Sequence, residues 1–537
     1  MSGPETYIES IDDRAARDLD RVMRAARHRA APAVAPAAAP WGDAHDPCSH
    51  LANAHRLVTH FRTELLFING IGWHCWTPPW RHDEHGARRY AHRLGKLIAA
   101  EAAALAPWVA ESPDADQRNR REAVMQRRFK WASSSESQDC IESSLSMAKA
   151  LLGTDAASLD ACADLLGTPG GVLDLQYGEH REHRQSDFIT KVCGAKFDAA
   201  AKAPTWERVL REIFRDDEPL IDYFQRLAGY MLSGHRGEHL LPIFWGSGAN
   251  GKSTVLGALQ AMLGDYAGAA APDLLISRSG SEHPTSLADL QGRRLVVVSE
   301  TGEAGRLNEE RTKLLTGGDT ITARRMRMDY YQFRPSHLLV LQTNHRPKVQ
   351  GTDEGVWRRL RLIPFAHTVP PDQRDPKLPD TLRNELPGIL QWAWRGWQRY
   401  QAQGFNNPPA VRAATTDYRE ASDAVGLFLT EFCETDSRVT ETAKRLYAGY
   451  CQWCEEAGER AKTQRDFGMR LSERGFERVK HGSGGRWRGL RIRDEMPARG
   501  WSDPSDPGSG LSTRENASNR GYAENRVTSV TYGNHRE

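Results

Sequence analysis

The run GSGANGKST, residues 246–254, satisfies the pattern G-x-x-x-x-G-K-[ST] with Gly246, Gly251, Lys252 and Ser253, and Gly248 adds a third glycine inside it. Glycines at these positions let successive backbone N–H groups turn inward on an anion. A helix starting near Lys252 contributes its positive end, the Lys252 ammonium can reach the β and γ phosphates of a nucleotide, and the Ser253 hydroxyl can ligate Mg²⁺. Asn250 and Thr254 complete the candidate nucleotide-binding set. Hydrolysis of ATP needs in addition a carboxylate at the end of a neighbouring strand. RRLVVVSETGE offers Glu300 just past the apolar run Leu295–Val298, as general base or water positioner and as a second Mg²⁺ ligand, with Glu303 next in line. The bland alternative for Glu300 is a solvated acid after a strand. A further apolar run, HLLVLQT, leads to Asn344, whose amide can sense the γ phosphate; an asparagine there alone reads as a turn former, and its order behind the other motifs gives it weight.

These residues need a sheet to hold them. HLLPIFW, ending at Trp245, is short, apolar and β-rich, as a buried parallel strand should be, and an apolar helical run follows the glycine loop. RRLVVVS and HLLVLQT alternate with helical or loop segments, which points to an α/β core. Upstream, PTWERVLREIF and PLIDYFQRLAGYML carry apolar residues at helical spacing, and GTPGGVLDLQYGEH reads as a short hairpin. Phe61, Phe67, Trp73, Trp76 and Trp80 crowd one stretch; a small domain core is the first reading and base stacking the second.

At 537 residues the chain exceeds what one core organises. A net charge of +2 and a pI of about 8.1 give no global signature of nucleic-acid binding, so any such surface must be local. No apolar run approaches the roughly 20 residues of a membrane span, and the first residues lack the order of a signal peptide, so a cytoplasmic protein without a membrane partner is expected. The eight cysteines are irregularly spaced and read as reduced thiols; Cys451 and Cys454 share a helical stretch, with no second pair to make a zinc site. Near the C-terminus, TQRDFGMRLSERGFERVK opens on the capping Thr463 and carries Arg465, Arg470 and Arg474 along a helix. VKHGSGGRWRGLRIR then reads as two strands around a Gly-rich turn, with Lys480, Arg486 and Arg488. From Arg470 to Arg493 eight Lys or Arg stand against two Glu, the local footprint of a DNA-binding module, with protein docking as the alternative. Trp487 would pack under this wing or stack on DNA.

GSGANGKST, SETGE, KLLTGGDTITARR and LQTNHRPKVQGTDEGVWRRLRLIPF, in this order, together resemble the superfamily 3 helicases, in particular the phage and plasmid primase-helicase family related to poxvirus replication helicases. The stretch from the Trp-rich segment through GVLDL and PTW to GYML resembles the domain that precedes the helicase in that family, so the likeness covers roughly residues 55–495. It implies an α/β fold with an AAA+-like P-loop ATPase core, an N-terminal mixed α/β accessory domain and a C-terminal winged helix. The corresponding division is 1–47 as an N-terminal arm with an Ala/Pro linker, 48–204 as the accessory domain, 205–375 as the ATPase, 376–422 as a helical connector, 423–495 as the winged helix and 496–537 as a tail without fold. The family assembles as a ring, usually a hexamer, around DNA. Residue by residue, Glu300 matches the acidic strand end and Asn344 the polar sensor. Arg358 or Arg359 resembles the arginine that completes the neighbouring subunit's site. The segment between Glu300 and Asn344 matches the DNA-contacting hairpin, with ITARR and YYQF as arms, Arg324, Arg325 and Arg327 near the tip, and Lys313 serving ATP or DNA. Solvated or ion-paired faces are the bland alternatives for these arginines. One departure stands out: Ser299 occupies the place where the superclass often carries the first of two adjacent acids, which leaves open whether Mg²⁺ is held through water or whether Glu303 shares the task.

The expectation is an ATP- and Mg²⁺-dependent, ring-forming DNA helicase for phage or mobile-element replication in a bacterial cytoplasm, acting on single-stranded and forked DNA. The residues before the aromatic stretch are too few for a primer-synthesising domain, so a primase or polymerase is expected as a separate chain. An initiator or loader that hydrolyses ATP without separating strands uses the same parts. A small-molecule P-loop kinase ranks last, having no use for a trans arginine, a basic hairpin or a basic wing.

Overall fold

Phe61, Trp73 and Trp80 are 3%, 2% and 3% exposed, so the N-terminal aromatic run is a core. Strands β1 (Leu65–Ile68), β2 (Gly72–Trp76) and β3 (Trp80–His82) form an antiparallel meander, and β4 (Gly153–Thr154) lies parallel to β1. Helices His50–Phe61, Glu84–Ala91, Leu94–Ala103 and Gln138–Leu152 cover it with Leu57, Ala87, Leu94, Ile98 and Leu145. The expected hairpin follows as β5 (Leu165–Thr168) and β6 (Gly171–Asp174), extended by β7 (His180–Arg181).

This computed structural model describes residues 46–277, 285–300, 305–326, 330–349, 354–459, 461–481 and 484–493. All but the last two residues of the expected N-terminal arm, the whole of the expected tail, Glu303 and Arg327 therefore lie outside the described residues, as does the side chain of Glu300. The chain divides into two units, residues 1–422 and 423–537.

A strand such as Leu295-Val-Val-Val298 is apolar on both sides and must be covered on both faces. It belongs to a five-stranded, wholly parallel sheet: β8 (Leu241–Trp245), β9 (Ala267–Ala270), β10 (Leu295–Glu300), β13 (Leu338–Thr343) and β14 (Leu360–Pro364), in the order β14-β8-β13-β10-β9. Strand alternation sends Leu295, Val297, Leu338, Val340 and Phe244 into one core with helices Pro204–Phe214, Glu218–Leu232, Lys252–Leu263 and Leu386–Gln403. Val296, Val298, Leu339, Leu341 and Ile243 enter a second core on the other face. That second core also takes Trp80 from the N-terminal meander and Ile321, Ala323, Tyr331 and Phe333 from an antiparallel hairpin of β11 (Ile321–Arg324) and β12 (Tyr330–Phe333), the arms expected from ITARR and YYQF.

Helix Leu386–Gln403, expected from the sequence as part of a connector, is a full member of the first core. It crosses Glu218–Leu232 closely enough that a methyl group on Gly396 would sit 1.9 Å from the Gln225 carbonyl oxygen, and one on Gly229 2.1 Å from the Trp397 nitrogen. Gln225 Nε2 donates to Trp392 O at 2.9 Å across the same seam.

In the second unit, helices Ala424–Phe432, Ala443–Glu456 and Gln464–Glu473 enclose Phe428, Tyr450, Phe467 and Trp487. Strands β15 (Cys433–Glu434), β16 (Thr440–Thr442), β17 (Glu477–His481), β18 (Gly484–Arg488) and β19 (Arg491–Ile492) complete it, with β17 and β18 forming the expected antiparallel pair. Thr463 caps its helix by accepting from the Asp466 N–H. Trp487 is 3% exposed, so it packs under the strands, the first of the two roles open to it from sequence. Cys451 and Cys454 lie on helix Ala443–Glu456 as free thiols.

Packing and burial each make a measurable demand. Gly396→Ala raises helix propensity by about 1 kcal/mol, yet the added methyl meets backbone that cannot swing aside, a type of overpacking that costs roughly 1–3 kcal/mol or more. The overlap should win, and chemical denaturation should show a lower midpoint. His337, 2% exposed, and His74, 3% exposed, are held neutral by burial, with pKa values pushed down to about 3 and about 4 from 6.5. The unfolded chain therefore binds more protons, and the contribution present above pH 6.5 is lost as pH falls toward 4 and 3. Replacing His337 by Phe should flatten part of that loss in a pH series of melts.

Candidate functional site

Parallel register brings the ends of three strands into one row. Glu300 pairs with Thr343, and Thr343 with Trp245, so the loop after β8, the asparagine after β13 and the acid that ends β10 emerge side by side at the carboxyl edge. Glu300 is the last residue of its strand, one step earlier than the sequence suggested. Open parallel sheets gather ligands at this edge.

The glycine loop runs from Gly246 into helix Lys252–Leu263. Gly251 precedes the helix with φ of 81°, the left-handed region, and a methyl there would meet Ile213 Cδ1 at 2.3 Å, so both backbone and space demand glycine. Val369 N donates to Ala249 O at 2.8 Å, and Asn250 Nδ2 to Phe365 O at 3.0 Å, fastening the loop to the chain that follows β14. Asn250 thus directs its amide into the protein, whereas the motif alone sets it facing the ligand.

Lys252 is 4% exposed. Its Nζ donates to Gly246 O at 2.6 Å, Asn250 Oδ1 at 3.0 Å and Asn344 Oδ1 at 3.1 Å, all neutral oxygens. Burial pushes its pKa down, because the charge is desolvated and these partners carry no countercharge. A buried cation at a helix N-terminus, held by dipoles among the described residues, is suited to a phosphate. The structure therefore unites Lys252 with Asn344, 92 residues apart in sequence. Ser253 is exposed in the first turn of the helix, and Thr254 half-buried beside it.

Two neighbours escaped the sequence reading. Gln342 Nε2 donates to Ser253 Oγ at 2.8 Å. The Arg346 guanidinium stacks 4.2 Å from the Trp245 ring, at the root of the glycine loop. Only the periodicity of β13, which turns every second residue toward the loop helix, could have pointed to Gln342.

The two candidate trans arginines differ sharply. Arg359 is 7% exposed; its Nε donates to Thr316 Oγ1 at 3.1 Å, a second nitrogen donates to Gly355 O, and its own carbonyl accepts from Leu241 N. Arg358 is exposed.

On the hairpin, Arg324, Arg325, Met326 and Tyr330 are exposed, and the Arg324 guanidinium lies 5.0 Å from the Tyr330 ring centre. Lys313 is half-buried on helix Glu309–Thr316. In the second unit Lys480 and Arg488 are exposed and Arg486 half-buried; β18 alternation sets Arg486 and Arg488 on the face opposite the buried Trp487. Arg470 and Arg474 are turned toward their own unit, Arg470 on Glu473 at 2.8 Å and Arg474 on Asp423.

Arg359→Ala should lower stability by about 1–3 kcal/mol, since it removes the donor that the buried Thr316 hydroxyl accepts from and leaves space where a 7%-exposed guanidinium stood. Arg358→Ala should stay within about 0.5 kcal/mol of the parent. Thermal melts of the two variants side by side check this.

Residues 54–215 match a family profile described as D5 N terminal like, and residues 244–359 match one described as a family of unknown function, DUF5906. A protein of Acanthamoeba polyphaga mimivirus named as a helicase, L207/L206, is 28% identical over 55% of this chain and 33% of its own length. One of African swine fever virus (isolate Warthog/Namibia/Wart80/1980) named as a primase, C962R, is 26% identical over 59% of this chain and 35% of its own. The alignments thus span about a third of each relative. Among solved structures, the A form apo C-terminal region of NrS-1 gives a TM-score of 0.38 at 12% identity, over 61% of this chain and 96% of that one. The profile at the N-terminal region and the viral relatives together support a likeness of this chain to the D5-like superfamily 3 helicases.

Proposed function

We propose that the protein is an ATP-dependent DNA helicase that works as a ring in DNA replication, built on a P-loop ATPase core in the first unit with a winged helix as the second. The observation that carries this reading is the contact between Lys252 and Asn344 in a row of strand ends that includes Glu300. A phosphate-loop lysine, a polar sensor and an acid on three adjacent parallel strands are the parts that phosphoryl transfer to water requires.

In this reading the backbone of residues 246–251 and the Lys252 ammonium bind the phosphates, and Asn344, freed from Lys252, senses the terminal one. Glu300 orients the attacking water and takes its proton. The donor chemistry fits Mg²⁺: a hydroxyl from Ser253 and a carboxylate from Glu300 are hard oxygen ligands, few in number, as that ion takes when nucleotide and water supply the rest. The metal would neutralise charge on the phosphates. Arg358, exposed where Arg359 is engaged in the core, suits the arginine given to a neighbouring subunit, so that turnover would depend on assembly. Arg324 and Arg325 on the hairpin, with Tyr330 beside them, offer guanidinium and ring faces to a strand without reading its sequence. Lys480, Arg486 and Arg488 would hold the fork through its phosphates.

The test is displacement of a labelled strand from a forked duplex, beside ATPase with and without single-stranded DNA. Displacement should be present in the parent and absent in Lys252→Ala. ATPase lost in Arg358→Ala should return in part when that variant is mixed with Lys252→Ala, because each supplies what the other lacks. DNA-stimulated hydrolysis without displacement would favour the initiator or loader, and hydrolysis indifferent to DNA would sink both.

A further inference from the structure

The place where Ser299 stands raises a question of charge. Strand alternation puts Ser299 on the same face of the sheet as Leu295 and Val297, the face covered by helix Lys252–Leu263. In register beside Ser299 lies Gln342, and beside Gln342 lies Phe244, again on the helix-facing side. The last polar residues on that face, directly below the first turn of the loop helix, are thus a hydroxyl and a primary amide. Of these two it is the amide that reaches the loop, with Nε2 at 2.8 Å from Ser253 Oγ.

A serine that ligates a metal must turn a lone pair to the metal and its proton elsewhere, toward an acceptor. A carboxylate from the strand is the obvious acceptor, and the residues on this face at the ends of β10 and β13 are Ser299 and Gln342 instead. A primary amide can serve in its place. Its nitrogen and oxygen exchange positions by a half-turn about the last side-chain bond, so Gln342 donates to Ser253 in one orientation and accepts the hydroxyl proton in the other. Donating, it takes one of the hydroxyl's two lone pairs and leaves the proton unaimed; accepting, it leaves both lone pairs free and fixes the hydroxyl.

The geometry points to Gln342 as the positioning residue of the metal site: its amide oxygen accepts the Ser253 proton and so aims the Ser253 oxygen at the divalent cation of a bound nucleotide. The inference rests on the nucleotide-binding reading of the glycine loop. It gives the site one formal negative charge fewer than a strand-end carboxylate would, and makes its hold on the cation depend on a neutral, reversible partner. Partners that orient metal ligands are worth roughly tenfold to a hundredfold in metal affinity.

The experiment is a Mg²⁺ titration of the full chain with a fluorescent ATP analogue, recording binding without hydrolysis. Relative to the parent, Gln342→Leu should raise the Mg²⁺ midpoint roughly tenfold, while affinity for the analogue in the presence of a chelator stays within about twofold. Gln342→Glu, a permanent acceptor, should lower the midpoint below that of the parent. In a Ser253→Ala background, Gln342→Leu should add nothing, because the hydroxyl it orients is gone. A parent-like midpoint in Gln342→Leu, or an equal shift with and without Ser253, overturns the assignment. If Gln342→Leu does not fold, Gln342→Glu decides alone: a midpoint at or above the parent's refutes it. A parent chain that fails to bind the analogue at all, with or without Mg²⁺, removes the nucleotide reading and this inference with it, an outcome distinct from a shared midpoint.

Discussion

The rest of the site depends on one buried ammonium. Lys252 sits among the carbonyl of Gly246 and the amide oxygens of Asn250 and Asn344, a cage of dipoles that brings no charge to match its own. Such a group costs free energy to bury, and the fold tolerates it because the loop helix, the strand end and the chain after β14 are all fastened around it. Those fastenings in turn explain the sheet. Only a parallel arrangement with β13 between β8 and β10 sets the loop, the amide and the acid at one edge, and parallel strands need two covered faces. The helices on one side and the hairpin with the N-terminal meander on the other follow from that need.

Covering the second face gives the hairpin its character. Ile321, Ala323, Tyr331 and Phe333 are rooted in the core that also takes Val296, Leu339 and Trp80, while Arg324, Arg325 and Tyr330 face outward. Alternate residues thus hold the arms of the hairpin against the sheet and leave the others to solvent.

Much of this was legible in the sequence because apolar periodicity and glycine spacing are local signals. The strands β8, β10 and β13, both arms of the hairpin, the pair β17 and β18 and the cap at Thr463 are where the residues put them. What the sequence could not say concerns the direction of side chains whose types are alike. Arg358 and Arg359 are adjacent and identical, and only the tertiary partners Thr316 and Gly355 separate an inward one from an outward one. Arg470 and Arg474 look turned to solvent on a helical pattern, yet Glu473 and Asp423, the latter 51 residues back from Arg474, claim them. Asn250 reads as a ligand contact because the motif surrounds it, and the carbonyl of Phe365 that takes its amide lies 115 residues on. Gln342 sits in a strand whose period is plain, but a period says which face a residue takes and not which atom it meets there.

Helix Leu386–Gln403 shows where chemistry and folding part company. It closes the core over Glu218–Leu232 by backbone contact at Gly229 and Gly396, and Trp397 reaches further back, its Nε1 donating to Leu175 O at 3.1 Å. The motifs proposed for ATP and for the neighbouring subunit end by Phe365, so a fragment drawn from motifs alone would stop there. Cut at that point, the chain would uncover the faces of Trp206, Phe224 and Tyr230 that pack on Trp392 and Trp397, three large buried rings on two helices. The smallest self-standing version of the proposed ATPase is therefore set by a seam of glycines well beyond its chemistry.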